Sequence, residues 1–114
     1  MTFEPGTVVG IPFRFSDRPG AKMRPALVLS TKQSQAATHE VIVCAITSNM
    51  GDAAYSVALA TGDFSSGKLP KPSRVKVGSL VSIHESRVER SWGQLKPAVM
   101  RQVWKEFYGL FPSA

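Results

Sequence analysis

Two short apolar runs, Ala26-Leu27-Val28-Leu29 and Val41-Ile42-Val43-Cys44-Ala45-Ile46, constrain this chain more than any other feature. Each is shorter than a typical helix and is bounded by turn-forming residues. The second is rich in β-branched side chains, so both read as buried strands. A residue before proline is pushed to extended geometry, which makes Arg24-Pro25 the opening of the first strand. Thr47 and Ser48 close the second. If the strands pair antiparallel, the start of one lies beside the end of the other, and a guanidinium approaches two hydroxyls. Such a pair is the rigid platform that a reactive constellation needs.

The flanking segments fit the same scheme. Thr7 to Phe13 reads as a first strand, with Pro12 suited to an edge or a bulge. Arg14 to Lys22 reads as a basic loop with Asp17, Pro19 and Gly20 as turn formers. Thr31 to Glu40 is polar and without period, and reads as a connection with at most a helical turn. Asn49 to Asp52 reads as a turn, Ser56 to Leu59 as a short strand, and Gly62 to Pro72 as a loop. Arg74 to His84 alternates polar and apolar residues, as a strand with one wet face does, and Gly78 marks a bend or bulge. Arg87 to Arg90 suits either a short strand or a turn.

The period changes at the end. Val99, Met100, Val103, Trp104, Phe107, Tyr108 and Phe111 recur at helical spacing, so Pro97 to Leu110 is expected to be an amphipathic helix. Pro97 suits the first helical position, whereas Lys96 is a poor N-cap. The aromatic stripe is expected to pack on a sheet. Roughly five to seven short strands and one terminal helix point to a mainly β fold, a small antiparallel barrel with a helix laid on it.

A chain of 114 residues is expected to form a single domain, 1–114, with a modest core. Its 14 Lys and Arg against 8 Asp and Glu leave a formal charge of +6. That excess favours a polyanionic partner, nucleic acid ahead of membrane, and equally suits a surface that is merely well solvated. The single cysteine, Cys44, has no partner for an intrachain disulfide, which fits a reducing cytoplasm, and its place mid-strand fits a small core hydrophobe. No apolar run approaches a membrane span, and no signal-peptide pattern opens the chain.

Familiar catalytic signatures are absent: there is no P-loop, no GxGxxG and no GxSxG. His39, His84 and Cys44 lack the spacing of metal ligands, so neither a metal nor a cofactor is called for. What remains is cations, hydroxyls and loops rich in glycine and proline. Arginine binds phosphate oxygens through paired, charge-assisted hydrogen bonds, and Ser and Thr add directional ones. Residues 68–76 hold Lys68, Lys71, Arg74 and Lys76 with no acid, an electrostatic footprint for a polyanion. Phe13 and Phe15 could stack on bases or belong to the core.

The order of these pieces carries a resemblance. Gly-x-Val-Val near the start, Lys-Met-Arg-Pro-Ala-Leu-Val-Leu-Ser at 22–30 and Val-x-Val-x-x-Ile-Thr-Ser at 41–48 resemble the MazF/PemK family of toxin endoribonucleases. Gly67-x-Leu-Pro-Lys-Pro-Ser-Arg-Val and Trp92-Gly-Gln-Leu follow the same pattern, and the likeness runs from Gly6 to about Leu110. It implies an SH3-like barrel, a homodimer, a protein antitoxin as partner, and metal-independent cleavage of single-stranded RNA by 2′-OH attack to a 2′,3′-cyclic phosphate. By position it implies that Arg24 and Thr47 are catalytic. Lys22, Ser48, Ser73, Arg74 and Lys76 are assigned more loosely to RNA binding. One departure stands out: some members carry a carboxylate about where this chain has Gly78, and the nearest side chains here are Lys76 and Ser79.

Two other classes share these features. A CcdB-like toxin has a similar barrel and acts on a topoisomerase, and a non-catalytic RNA-binding module would need no base. Whichever holds, a polyanion footprint makes a quantitative prediction. Neutralising Lys71, Arg74 and Lys76 together should flatten the dependence of RNA affinity on salt, by about 0.7 in log–log slope for each phosphate no longer neutralised. A filter-binding titration across salt concentrations reads this, and an unchanged slope would reject the footprint.

Overall fold

In a computed structural model of the chain, residues 1–13, 22–51 and 54–113 are described. The expected basic loop falls outside them except for Lys22, as do Asp52 and the side chains of Phe13 and Phe15. The described residues form β1 (Thr7–Phe13), β2 (Lys22–Val28), α1 (Lys32–Thr38), β3 (Glu40–Thr47), β4 (Ser56–Leu59), β5 (Phe64–Gly67), β6 (Ser73–His84), β7 (Arg90–Leu95) and α2 (Pro97–Tyr108). The seven strands make one curled antiparallel sheet in the order β4-β6-β3-β2-β1-β7-β5. The fold is mainly β with a C-terminal helix, as the alternating patterns require.

The apolar runs in β2 and β3 lack clean alternation because both faces of the central sheet are covered. On one face Val8, Leu27, Cys44, Ile46, Val75 and Val77 form a core with Val99, Met100 and Val103 of α2. On the other, Val9, Ile11, Ala26, Val28, Val41 and Val43 are packed by Phe3, Val81, Ile83 and Val88. Neighbouring residues in a strand point to opposite faces, so two covered faces demand a continuous apolar run. Each fully buried aliphatic side chain contributes about 1.5–3 kcal/mol. Of the aromatic stripe, Trp104 and Phe107 lie partly buried against the first core, whereas Tyr108 and Phe111 are exposed and do not pack on the sheet as expected. Pro97 stands in the first turn of α2, and Lys96 makes no side-chain cap.

Two elements depart from the sequence reading. The polar stretch after Thr31 is a full helix, α1, capped by the Thr31 hydroxyl accepting from the Ser34 amide at 3.1 Å. Its buried residue is Gln35, a polar side chain, so no apolar period announces the helix. The segment from Gly62 to Pro72 is not wholly loop, because β5 pairs there with β7. Pairing also clarifies the Arg87–Arg90 stretch, where a 3-10 turn at Glu85–Arg87 leads into β7. The bend near Gly78 is present: Cys44 pairs with Leu80 and Ala45 with Lys76, so Val77, Gly78 and Ser79 bulge out of the ladder.

Gln35 ties the N-terminal segment to the sheet. Its side chain accepts from the Phe3 amide at 2.8 Å and donates to the carbonyls of Phe3 and Ser30, each at 2.9 Å. Removing a buried partner leaves those backbone groups unsatisfied. Gln35→Ala should therefore cost about 3 kcal/mol in urea-induced unfolding. A loss under about 0.5 kcal/mol, the range of an ordinary surface substitution, would show that the clamp is not engaged.

Candidate functional site

The site begins where a ladder ends. β2 pairs with β3 through Val28↔Val43, Leu27↔Cys44 and Ala26↔Ala45, and no further. The next residue of β2 is Pro25, which has no N–H to donate to a neighbouring strand. Counting on in the same register sets Arg24 against Thr47 at the point where pairing has ceased. β2 continues beside β1, with Gly10↔Pro25 and Ile11↔Arg24. β3 continues beside β6, with Thr47↔Arg74.

A cleft of about 810 Å³ occupies this place. Arg24, Thr47 and Ser48 line it, together with the β5–β6 loop at Leu69, Pro70 and Lys71. Ser73 at the head of β6 and Arg90 and Trp92 of β7 complete much of the wall. Its volume lies in the range of small-ligand sites. Lysine and arginine on several elements give it a positive lining, and the described lining residues include no Asp, Glu or His.

Each hydroxyl is held in a particular way. The Thr47 oxygen accepts from the Asn49 amide at 3.0 Å, which leaves its hydrogen to donate. Ser73 is buried and donates to the Lys71 carbonyl at 2.9 Å, so it shapes the loop that carries Lys71. Arg24 and Thr47 are both half-buried, an intermediate position that lets a side chain meet a ligand while its stem stays fixed.

The other expected residues lie apart from the cleft wall. Lys22 is exposed at the start of β2. Arg74 and Lys76 share a sheet face with Thr47 and Ala45, to which they are paired. Arg74 donates to the Ser56 hydroxyl at 3.2 Å and so reaches toward β4. His39 and His84 stack at 6.4 Å at the far end of β3 and β6, where His39 meets Glu85 at 3.3 Å, and neither lines the cleft. Burial pushes the Cys44 thiol up to about 12, so at neutral pH it stays protonated and serves as a core side chain. Among the described residues no group of His, Cys, Asp and Glu could hold a metal ion. No described helix is long and apolar enough to cross a membrane.

Nothing in the residue pattern marks Arg90 or Trp92 as a lining residue. Their position depends on the register between β1 and β7, where Ser91 pairs with Val9 and Gly93 with Val8. Trp92 is thus the extra residue of a β-bulge, and a bulge leaves no trace in residue pattern.

A family model described as PemK-like, MazF-like toxin of type II toxin-antitoxin system matches residues 4–110. No curated protein matches the chain in sequence. Among solved structures, a MazF from Deinococcus radiodurans is 22% identical, with 96% of each chain covered and a TM-score of 0.74. An endoribonuclease from a mycobacterial species is 16% identical and covers 100% of this chain and 97% of its own, with a TM-score of 0.77. A mycobacterial endoribonuclease in complex with its cognate antitoxin, also 16% identical, covers 97% and 98% with a TM-score of 0.78. At these identities the likeness is one of fold.

Proposed function

Since the chain belongs to the PemK-like, MazF-like toxins of type II toxin-antitoxin systems, we propose that it is a cytoplasmic endoribonuclease that cleaves single-stranded RNA without a metal. The observation that carries this reading is the meeting of Arg24 and Thr47 on one cleft at the end of the β2–β3 ladder. RNA brings its own nucleophile. The 2′-oxygen attacks the adjacent phosphorus, the bond to the 5′-oxygen breaks, and one proton passes overall from the 2′-OH to the departing oxygen. The products are a 2′,3′-cyclic phosphate and a 5′-hydroxyl.

The tasks left to the protein are alignment and charge stabilisation. Arg24 faces the charge that develops on the phosphorane and can bind it through paired, charge-assisted hydrogen bonds. Thr47 donates to a non-bridging phosphate oxygen, since its own oxygen already accepts from the backbone. Ser48 lies at the exposed rim beside it, and Lys71 adds positive charge from the facing loop. Ser73 positions that loop. Lys22, Arg74 and Lys76 act outside the cleft, on the flanking RNA backbone. Gly78, where some relatives carry an acid, is exposed at the bulge, with the Leu110 side chain the nearest atoms a β-carbon there would meet.

The test is cleavage of a long RNA by pure protein in EDTA. Discrete fragments with cyclic phosphate ends are expected, and Arg24→Ala should lower the rate by about 100- to 1000-fold. Intact RNA that is nonetheless bound would indicate a non-catalytic RNA-binding module. Intact RNA without binding would favour a CcdB-like toxin. Suppression of cleavage by a co-expressed acidic antitoxin completes the toxin reading.

We also propose a homodimer, on the ground of an apolar cluster at the end of α2. Tyr55, Tyr108 and Phe111 are each more than half exposed, with Leu110 beside them. Such a patch on a small domain marks an association surface. Sedimentation should give a dimer for the wild type and a monomer for Tyr108→Lys/Phe111→Lys. A monomeric wild type at micromolar concentration would reject the assignment.

A further inference from the structure

We propose that Trp92 is a stacking platform for an unpaired nucleobase next to the cleaved bond, with Arg90 as its companion on the adjoining phosphate. This rests on the single-stranded RNA reading of the same cleft and adds a subsite to it. Two backbone devices place these side chains in the wall. The bulge between Ser91 and Gly93 turns Trp92 out of the ladder. Gly10, on β1, lies under Met23 and Arg90. A β-carbon there would stand 2.8 Å from the Met23 sulfur and 3.1 Å from Arg90 Cγ, so the glycine lets both side chains lie close over the strand without shifting. Met23 and Arg90 thereby reach the cleft from opposite sides of β1.

The chemistry at this wall differs from that at Arg24. Trp92 is half-buried, packed on the core and still lining the cleft, so it presents indole surface on a fixed backbone. Arg90 is exposed, with its guanidinium carbon 6.0 Å from the indole ring. That separation is the outer limit of a cation–π contact, so the guanidinium gives up little by moving to a phosphate. Leu69 and Pro70 supply apolar surface to the same cleft. A flat aromatic surface, aliphatic neighbours and an exposed cation are the parts from which single-stranded nucleic acid sites are built, with the base on the ring and the phosphate on the cation.

The experiment uses the full chain and a 2′-O-methyl RNA oligonucleotide that binds without being cleaved. Trp104→Phe leaves Trp92 as the sole indole. Titration should quench its emission at the same concentrations that raise the anisotropy of a labelled oligonucleotide. Trp92→Leu should weaken binding about 10-fold, and Trp92→Tyr should restore most of it. An oligonucleotide with one abasic residue beside the scissile position should lose a similar factor with wild-type protein and nothing further with Trp92→Leu. Binding with unchanged emission, or additive losses from the two changes, would overturn the platform while leaving the ribonuclease assignment intact. Should Trp92→Leu fail to fold, the emission and abasic measurements on tryptophan-containing protein decide alone. No binding by any form, together with no cleavage, would overturn both.

Discussion

A missing hydrogen-bond donor governs the arrangement of this molecule. The backbone of a sheet is a closed account of N–H and C=O groups, and Pro25 withdraws one donor from its middle. The ladder between β2 and β3 ends beside it, although both strands continue with their outer partners. Arg24 and Thr47 would otherwise be neighbours in an unbroken sheet. Because the ladder has ended, space lies between them, and that space is the cleft. The opening is thus made by the covalent structure of one residue, inside a region whose remaining strands stay paired. This gives the site a rigid frame and a gap together, which preorganised charge stabilisation requires.

The frame is rigid because the central strands are buried on both faces. One core lies under α2, and the other is closed by the curl of β6 and the N-terminal segment. The curl depends on the bulge at Val77–Ser79, which sends the second half of β6 over the second core. The N-terminal segment stays in place through the Gln35 amide, whose three bonds substitute for a strand pairing. Polar and apolar interactions therefore divide the work. Burial holds the strands, and a few buried hydrogen bonds decide which segments close the ends.

How much of this is legible in residues alone follows from the same physics. β1, β2, β3, β6 and α2 declare themselves because their burial follows periods of two or 3.6 residues, or a run covered on both sides. α1 does not, since its inward residue is Gln35 and its cap, Thr31, looks like one more polar residue in a polar stretch. β5 is too short and too full of glycine and serine to stand out from a loop. At the site, Arg24, Thr47, Ser48 and Ser73 are recoverable because they flank apolar strands. Lys22, Arg74 and Lys76 share the charge but are not among the residues lining the cleft, although Arg74 and Lys76 pair with Thr47 and Ala45, which do, a distinction composition cannot make. Arg90 and Trp92 enter the cleft through a register shift and a glycine on a neighbouring strand, and both are properties of pairing between distant segments.

The close approach of β5 to β7 has a consequence for how such a cleft can diversify. A β-carbon on Gly67 would overlap the Trp92 carbonyl, and one on Gly93 would come within 2.5 Å of the Ser66 carbonyl. Gly67 also has a φ of +71°, which L side chains rarely adopt. These two sites are closed to substitution, and the chain between them and the indole cannot be re-routed in small steps. Change in the cleft is thereby directed to the side chains that line it, Trp92 and residues 69–71 among them, rather than to the backbone that carries them. The two glycines therefore hold β5 and β7 in one fixed relation, and the cleft can change its side chains without changing its frame.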